Sequence, residues 1–159
     1  MRHAKIKPLE IFLFTPGEAD GCSAAHKVLV AHLKTVAIHV STVCSTLQGQ
    51  EVNIILCDRT QIRKLNRQFR QEDRATDVLS FPLTEPVAGE VWISPGMVKK
   101  NAREFGEVFE KELVRVLVHG LLHLGGMDHD RSFRDGDEQT EEMFSLQERV
   151  LRDVFSAGA

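Results

Sequence analysis

The stretch 110–130 constrains the fold more than any other part of the chain. Between positions 113 and 124 almost every residue is apolar, which is typical of a helix buried on most of its surface. His119 and His123 interrupt this pattern four residues apart, so they lie on one helical face, one turn apart. The domain must therefore enclose this helix and still leave room for two imidazole rings at one point.

Two glycines, Gly125 and Gly126, follow the apolar stretch and predict the end of the helix, since glycine readily adopts the left-handed conformations found there. The chain can then turn back and bring His129 to the same point as the two helical histidines. A single buried histidine is usually a hydrogen-bonded core residue, but three unpartnered imidazoles would each carry a desolvation cost that a shared cation removes. His119, His123 and His129 are therefore predicted to bind one divalent transition metal ion.

Three imidazoles suit Zn²⁺, although nickel, cobalt and copper are also compatible with this ligand type. They leave a coordination position open for water, as in catalytic zinc sites, whereas a structural site is closed by a fourth protein ligand. The frame His119-x-x-x-His123-x-x-Gly126-x-x-His129 also resembles that of the metzincin peptidases. A metzincin carries glutamate directly after the first histidine as its general base, and this chain has Gly120. Because glycine cannot transfer a proton, the peptidase base is missing, and a metzincin-like metalloprotease is only the alternative interpretation.

The rest of the chain predicts a single domain over residues 1–159, since a domain typically holds about 150 residues. Cys22 or Ser23 is expected to cap the first helix and Asp58 the second. Alternating and β-branched stretches predict strands at 9–14, 52–57, 78–81 and 90–94. Apolar residues at helical spacing predict helices at about 22–47, 60–69, 96–104, 110–124 and 139–155. Strands come early and helices late, so the predicted fold class is α+β, with a small mixed β-sheet packed with helices.

Composition argues against several other classes of protein. Cys22, Cys44 and Cys57 form no Cys-x-x-Cys pair, so neither a disulfide framework nor a cysteine zinc site is indicated, and a cytoplasmic location is expected. The apolar run 9–14 is far shorter than the ~20 residues needed to span a bilayer. A formal net charge of -3 argues against a protein that coats nucleic acid by bulk charge, but it allows a local basic patch.

Such a patch is predicted on the second helix. Five arginines recur there at intervals of four, four, three and four residues, which on a helix would form one basic stripe: Arg59, Arg63, Arg67, Arg70 and Arg74. Ile62, Leu65 and Phe69 would face the core. A row of charges is usually only a solvated helix face, but here acidic residues at helical spacing are absent until Glu72 and Asp73. Guanidinium groups suit two-pronged phosphate contacts, so the stripe is interpreted as a nucleic-acid contact.

From about residue 52 to residue 151 the chain resembles the YbeY-type rRNA-maturation endoribonucleases. The resemblance rests on the histidine motif 119–129 and on four other strings: 65–70 (Leu-Asn-x-x-Phe-Arg), 76–82 (Thr-Asp-Val-Leu-Ser-Phe-Pro), 89–94 (Gly-Glu-Val-Trp-Ile-Ser) and 142–148 (Glu-Met-Phe-Ser-Leu-Gln-Glu). It implies a metal-dependent hydrolase that cleaves single-stranded RNA internally, in ribosomal RNA maturation and ribosome quality control. It also implies small-subunit ribosome components as partners, and a small mixed sheet with the metal in a cleft.

The resemblance further implies an arginine that is important for activity, and this arginine falls on Arg70. We expect Arg70 to be catalytic, by neutralising charge that develops on the phosphoryl group, and to bind substrate together with Arg63 and Arg67. Asp128 precedes the third histidine and is expected to orient a histidine ring or the turn. A third interpretation, besides nuclease and protease, is an RNA-binding protein whose zinc is purely structural.

Overall fold

The computed structural model describes residues 6–15, 21–84, 87–127 and 138–157. These ranges contain four strands: β1 (Glu10–Phe14), β2 (Glu51–Leu56), β3 (Val78–Pro82) and β4 (Gly89–Ile93). They also contain five α-helices and a short 3₁₀ helix at Ser45–Leu47; the α-helices are α1 (Cys22–Val43), α2 (Arg59–Arg70), α3 (Pro95–Phe105), α4 (Phe109–Leu124) and α5 (Glu138–Ala157). None of the helices in these ranges combines the length and the apolar character that a membrane crossing requires.

The four strands form one mixed sheet in the order β1-β2-β4-β3. β1, β2 and β4 run parallel, and β3 pairs with β4 in the antiparallel direction at one edge. Parallel neighbours need a long crossover connection. α1 provides it between β1 and β2, whereas α2 and β3 both lie between β2 and β4 in the sequence. The predicted α+β class with a small mixed sheet is confirmed.

The two faces of the sheet are covered unequally. Successive strand residues point to opposite faces. On one face, β2 and β4 contribute fully buried side chains to the main core shared with α1, α4 and α5: Val52, Ile54, Leu56, Val91 and Ile93. On the other face lies a smaller cluster of Cys57, Ile62 and Leu79 beneath α2. The helix that carries the histidines, α4, therefore packs into the larger of the two cores.

Strand β3 separates the two faces at the edge of the sheet. Val78 and Ser80 point toward α4, where they approach the backbone at Gly120. Leu79 and Phe81 point the other way and pack with the cluster beneath α2. Helices α4 and α2 consequently lie on opposite sides of the same edge strand.

Helix α1 begins and ends differently from the sequence prediction. The predicted cap at Cys22 or Ser23 is wrong, because α1 starts after Gly21, whose left-handed φ of 81° turns the chain without any side-chain cap. The helix also ends at Val43 instead of continuing to about residue 47. Cys44 adopts an extended backbone, and only the 3₁₀ helix follows it.

Helix α2 begins as predicted but ends before its last expected arginine. The Asp58 carboxylate accepts a hydrogen bond from the Gln61 amide at 2.7 Å, which confirms the N-cap. At the other end Gln71 has a left-handed φ of 57° and closes the helix after Arg70. Arg74 therefore lies beyond α2, and its predicted place on the helical stripe is wrong.

The inner face of α2 is narrower than expected. Ile62 is fully buried and Leu65 packs partly buried beside it. Phe69 is 53% exposed and meets Phe81 edge-on, with ring centroids 5.1 Å apart. The prediction that Phe69 faces the core is therefore wrong: only the small cluster lies beneath α2, and it covers the helix incompletely near its end.

Candidate metal centre

His119 and His123 project together from the last two turns of α4. Both side chains are half-buried, and their rings meet edge-on with centroids 4.6 Å apart. The two Nε2 atoms lie 3.1 Å from each other. Two nitrogens bound to one tetrahedral Zn²⁺ at about 2.05 Å would lie about 3.3 Å apart. The spacing of four residues thus brings two nitrogen donors to the separation that a shared ion needs.

Gln147 of α5 fixes the orientation of one of these rings. Its side chain is 6% exposed, and its Oε1 lies 2.7 Å from Nδ1 of His119. An amide oxygen only accepts, so Nδ1–H of His119 donates and the lone pair of this ring stands on Nε2. A histidine that binds a metal through Nε2 requires this tautomer, and a hydrogen bond from its other nitrogen commonly sets it. The residues present therefore fit a bound transition metal ion.

Gln147 is not among the site residues predicted from the sequence, although the sequence carries a signal for it. Met143, Gln147, Val150, Leu151 and Val154 recur at helical spacing and are all buried. Gln147 within an apolar stripe resembles His119 within the apolar part of α4, because both are polar side chains at positions that are expected to be buried. A buried polar side chain needs a hydrogen-bond partner, and these two side chains are partners of each other.

An ion-pair cluster holds α5 against α4 beside this hydrogen bond. Arg115, one turn before His119, donates to both oxygens of Glu148 on α5, from Nε at 3.2 Å and from Nη2 at 3.3 Å. It also donates to Glu112, which is 5% exposed, and to Glu107. Burial opposes the charge of Arg115, but the hydrogen bonds to Glu148 and Glu112 outweigh it and raise the pKa of the guanidinium. Arg115 therefore stays charged, and its ion pair with Glu148 holds this part of α5, which includes Gln147, against α4.

A small cavity of about 180 Å³ opens beside His119. Its walls are formed by residues of β3, α4 and α5 and of the loop before β3: Asp77, Val78, Glu112, Arg115, Val116, His119 and Gln147. Pockets that enclose small organic ligands measure about 300–1,000 Å³. This cavity is below that range, so it suits a few water molecules rather than a nucleotide.

Position 120 has no space for a side chain, because α4 lies directly on the sheet at this point. A Cβ atom here would stand 2.7 Å from Cγ1 of Val91 and 3.2 Å from Oγ of Ser80. The Ser80 hydroxyl donates to the Gly120 carbonyl at 3.0 Å, which holds the helix in place. A glutamate at position 120 would meet the sheet rather than the histidine rings. The base that a metzincin requires therefore has no space in this fold.

The two glycines after α4 have different roles. Gly126 has a left-handed φ of 93° in open space, so the predicted conformational reason for a glycine is confirmed there. Gly125 has ordinary backbone angles, but a Cβ atom on it would collide with Sγ of Cys44. The helix ends at Leu124 as predicted, by a turn that combines backbone conformation with close packing.

The third predicted ligand and its neighbour, His129 and Asp128, lie outside the described residues. Within those residues, no group of three histidine, cysteine or acidic side chains is close enough to hold a metal ion. The described cysteines are buried and unbridged, and burial, with smaller contributions from Cys22 and Asp58, raises the pKa of Cys57 to about 12. That thiol stays protonated near neutral pH and does not offer a thiolate to a metal.

The arginines of the predicted stripe are partly neutralised. Nε of Arg63 lies 2.9 Å from Oδ1 of Asp73, and this hydrogen bond lowers the pKa of Asp73. Arg74 pairs with Glu72 at 3.0 Å, and Arg59 donates to the carbonyl of Gly96 at 3.2 Å. The two acidic residues at the end of the stripe are therefore partners of two of its arginines.

Arg67 and Arg70 occupy the last turn of α2 and are exposed. Because α2 and α4 lie on opposite sides of β3, Arg70 is on the other side of this strand from His119. β3 is the edge strand, with β4 as its partner in the sheet. A side chain from the end of α2 would have to pass this open edge to reach the histidines.

Comparison with known proteins gives a consistent result. The profile of the family described as endoribonuclease YbeY matches residues 20–154. A protein of Thermotoga maritima named endoribonuclease YbeY is 48% identical over 105 residues, covering 65% of this chain and 67% of that protein. One of Persephonella marina with the same name is 41% identical over 117 residues, covering 69% and 74%. The solution structure of TM1509 from Thermotoga maritima matches with a TM-score of 0.64 and 36% identity, over 92% of this chain and 90% of that one.

Proposed function

The chain belongs to the endoribonuclease YbeY family, and we propose that it is a metal-dependent endoribonuclease that cleaves single-stranded RNA in ribosomal RNA maturation and ribosome quality control. Membership of the family makes it a nuclease and a hydrolase. The metal dependence is carried by one observation: Nε2 of His119 and Nε2 of His123 lie 3.1 Å apart, while Gln147 holds the proton of His119 on the opposite nitrogen.

In this proposal His119, His123 and His129 hold one divalent transition metal ion, and Zn²⁺ suits three imidazoles best. Such an ion supplies Lewis acidity toward a phosphoryl oxygen and makes nearby water more acidic. The remaining work of the chain is positioning. Gln147 keeps the lone pair of His119 on Nε2, and the Arg115–Glu148 pair keeps Gln147 in place. Because Gly120 offers no carboxylate at the position of the metzincin base, the chemistry suits a phosphodiester better than a peptide, whose hydrolysis by metzincins needs that base.

Arg70 supplies positive charge to the reacting phosphate in this proposal. The scissile group would lie at the open edge of β3, between the histidines on one side and the end of α2 on the other. A guanidinium reaching this position would neutralise charge that develops as the phosphodiester is attacked. Arg63 and Arg67 would contact neighbouring phosphates, Arg63 less strongly because it is paired with Asp73.

The biological setting is proposed from the family description. Single-stranded regions of ribosomal RNA are the proposed substrate, components of the small ribosomal subunit the proposed partners, and the cytoplasm the proposed location. A strand that is not paired can follow the irregular surface around β3 and bend toward the histidines, which a rigid duplex cannot do.

The proposal is tested by RNA cleavage with metal-loaded and with chelated protein, on single-stranded, duplex and ribosomal RNA. We expect cleavage of the unpaired substrates to exceed that of the duplex, and chelation to abolish both. His123→Ala should lose the metal, measured by elemental analysis, and lose cleavage. The matched control is His39→Ala, which removes a partly buried histidine of α1 instead.

Two results would contradict the proposal. One is full activity of chelated protein or of His123→Ala on RNA. The other is metal-dependent cleavage of casein-like or peptide substrates that disappears in His123→Ala, because it would restore the protease interpretation. The first result would mean that the chain is a nuclease whose chemistry does not use the histidine pair.

A further inference from the structure

A groove that is lined mainly by basic side chains lies away from the histidines. It has a volume of about 660 Å³ and is lined by the starts of α1, α2 and α3, by the outer side of α3 and by the start of α4. Four cations stand against one carboxylate, that of Glu104, in its walls: Arg59, Lys99, Lys100 and Arg103. This local excess contrasts with the net charge of -3 of the whole chain.

The cations of α3 differ from the arginines of α2 in being unengaged. Lys99, Lys100 and Arg103 are exposed, and within the described part of the chain they form no ion pair or side-chain hydrogen bond. Arg63, by contrast, is occupied by Asp73. An unpaired cation keeps its attraction for an incoming anion, whereas a paired one must first release its partner. The strongest attraction for phosphate is therefore expected on α3 and not on α2.

The groove also has the position and the volume of a binding site. Arg59 follows β2 and Pro95 follows β4 within three residues, so the groove lies beyond the carboxyl ends of two parallel strands. Crevices at this edge of a parallel sheet are the common ligand sites of such folds. The volume falls within the range of pockets that accept small ligands. Phe109 in its wall adds an aromatic surface on which a base can stack.

Helix α3 joins this groove to the metal centre. Lys99 and Arg103, four residues apart, share the face toward the groove. Asn101 lies on a different side of α3 and donates to Asp77 at 3.3 Å, and Asp77 lines the cavity beside His119. The two sites are thus separated by about one helix diameter, about 10–12 Å. A flexible strand of a few nucleotides can span that distance.

From these observations we infer that the groove binds the phosphate backbone of single-stranded RNA a few nucleotides away from the bond that is cleaved. The inference rests on the proposed function for the identity of its ligand. It assigns to Lys99, Lys100 and Arg103 the docking role that the sequence alone suggests for α2. Free inorganic phosphate shares the chemistry of one contact, but it would occupy only a small part of a groove of about 660 Å³.

The test uses chelated full-length protein, so that RNA is bound and not cut. Binding of labelled single-stranded RNA of about 20 nucleotides is measured by fluorescence anisotropy at several salt concentrations, and cleavage of this RNA and of a dinucleotide is measured separately with metal restored. The variant is Lys99→Glu/Arg103→Glu. Its control, Lys34→Glu/Arg152→Glu, makes the same change in charge at exposed positions that do not line the groove. A milder variant, Lys99→Gln/Arg103→Gln, and thermal unfolding of all proteins separate loss of binding from loss of fold.

We expect the groove variant to weaken binding of the long RNA by roughly tenfold or more, and to reduce the salt slope by about 1.4, the contribution of two phosphates on a single strand. The control should stay within about twofold of the wild type, on the same electrostatic reasoning. With metal restored, a dinucleotide should be cleaved equally by the wild type and the groove variant, because it is too short to reach from the histidines to the groove.

The inference is overturned if the groove variant and the control weaken binding of the long RNA equally, or if the groove variant cleaves the dinucleotide as poorly as the long RNA. It is also overturned if inorganic phosphate displaces the long RNA completely, because the RNA would then be held by a single phosphate contact. In each of these cases the wild type still cleaves RNA and the proposed function stands. Absence of RNA cleavage by the metal-loaded wild type is the separate result that contradicts the proposed function.

Discussion

The histidine helix α4 and the arginine helix α2 lie on opposite sides of one strand, and their sequences predict their structures with unequal success. On α4 the spacing of His119 and His123 brings their Nε2 atoms within 3.1 Å. On α2 the spacing of the arginines is equally regular, yet Arg74 leaves the helix and Arg63 turns to Asp73. A buried helix has its side chains fixed by packing on all sides. An exposed helix leaves long charged side chains free to choose partners that no helical spacing reveals.

The first prediction asks whether the two sides of β3 act together in catalysis. Arg70→Ala should keep fold and metal and lower the single-turnover rate at saturating RNA by roughly 10²-fold or more, the scale of one lost electrostatic contact in a transition state. Arg70→Lys should restore little of the rate, because an ammonium group cannot make the planar two-pronged contact.

The control is Arg67→Ala, another exposed arginine in the last turn of α2. It should weaken RNA binding without changing the rate at saturation. Wild-type turnover of Arg70→Ala at saturating RNA would mean that α2 only docks the substrate and that all chemistry belongs to the α4 side.

The second prediction concerns Gln147, the residue on the α4 side that the sequence did not reveal. Gln147→Leu removes the acceptor for Nδ1–H of His119, and metal affinity should fall about 10–100-fold, the usual cost of losing such an outer contact. Gln147→Glu retains an acceptor and should stay much closer to the wild type. Competition with a chromophoric chelator measures both affinities without any RNA. Equal affinities of the leucine variant and the wild type would show that α4 alone orients the ring.

The third prediction tests whether packing sets the position of α4. In a helix, replacement of glycine by alanine normally stabilises by about 0.5–1 kcal/mol. At Gly120 the added Cβ meets Val91, so Gly120→Ala should instead destabilise, with overpacking costing about 1–3 kcal/mol. Chemical denaturation measures the change. Gly120→Ala/Val91→Ala should recover part of the overpacking cost, and a stabilised single variant would contradict the close contact.

The fourth and smallest effect belongs to α2. Asp73→Asn removes the partner of Arg63, so RNA binding should tighten by a few-fold, with a salt slope larger by about 0.7. Arg63→Ala should have the opposite effect and weaken binding, because it removes a guanidinium and leaves the charge of Asp73 without this partner. The hydrogen bond from Arg63 lowers the pKa of Asp73, so the pair persists above the ordinary carboxyl pKa and is lost only as pH falls through the lowered value. Wild-type RNA binding should approach that of Asp73→Asn over that acidic range and not above it.

The sequence predicts most of the fold, and the reasons for its errors are physical. Strand and helix positions follow from apolar periodicity, and Asp58 is recognisable as a cap because its chemistry is local. The cap of α1 could not be recognised in this way, since Gly21 works through backbone conformation and offers no side-chain acceptor. Phe69 matches the inner periodicity of α2, but the cluster beneath that helix is too small to bury it.

For the site, sequence patterns predict residues that are close along the chain and miss those that meet only in the fold. His119 and His123 share one helix, so their meeting follows from helical geometry. The contact of Gln147 with His119 and the groove between α1, α2 and α3 depend on how distant elements pack. No residue spacing in the sequence predicts either of them. The roles of His129 and Arg70 stay predictions.

The contact between α4 and the C-terminal helix has a consequence for dynamics. Local opening of α5 would withdraw Gln147 from His119 and Glu148 from Arg115 in one event. An ion that binds only the closed arrangement shifts this opening equilibrium by mass action, in proportion to its affinity. Amide hydrogen exchange along α5 would then slow as the ion is added, whereas exchange along α2, on the far side of the sheet, would not. Helix α5 would in that sense report the occupancy of a site that it contacts through Gln147.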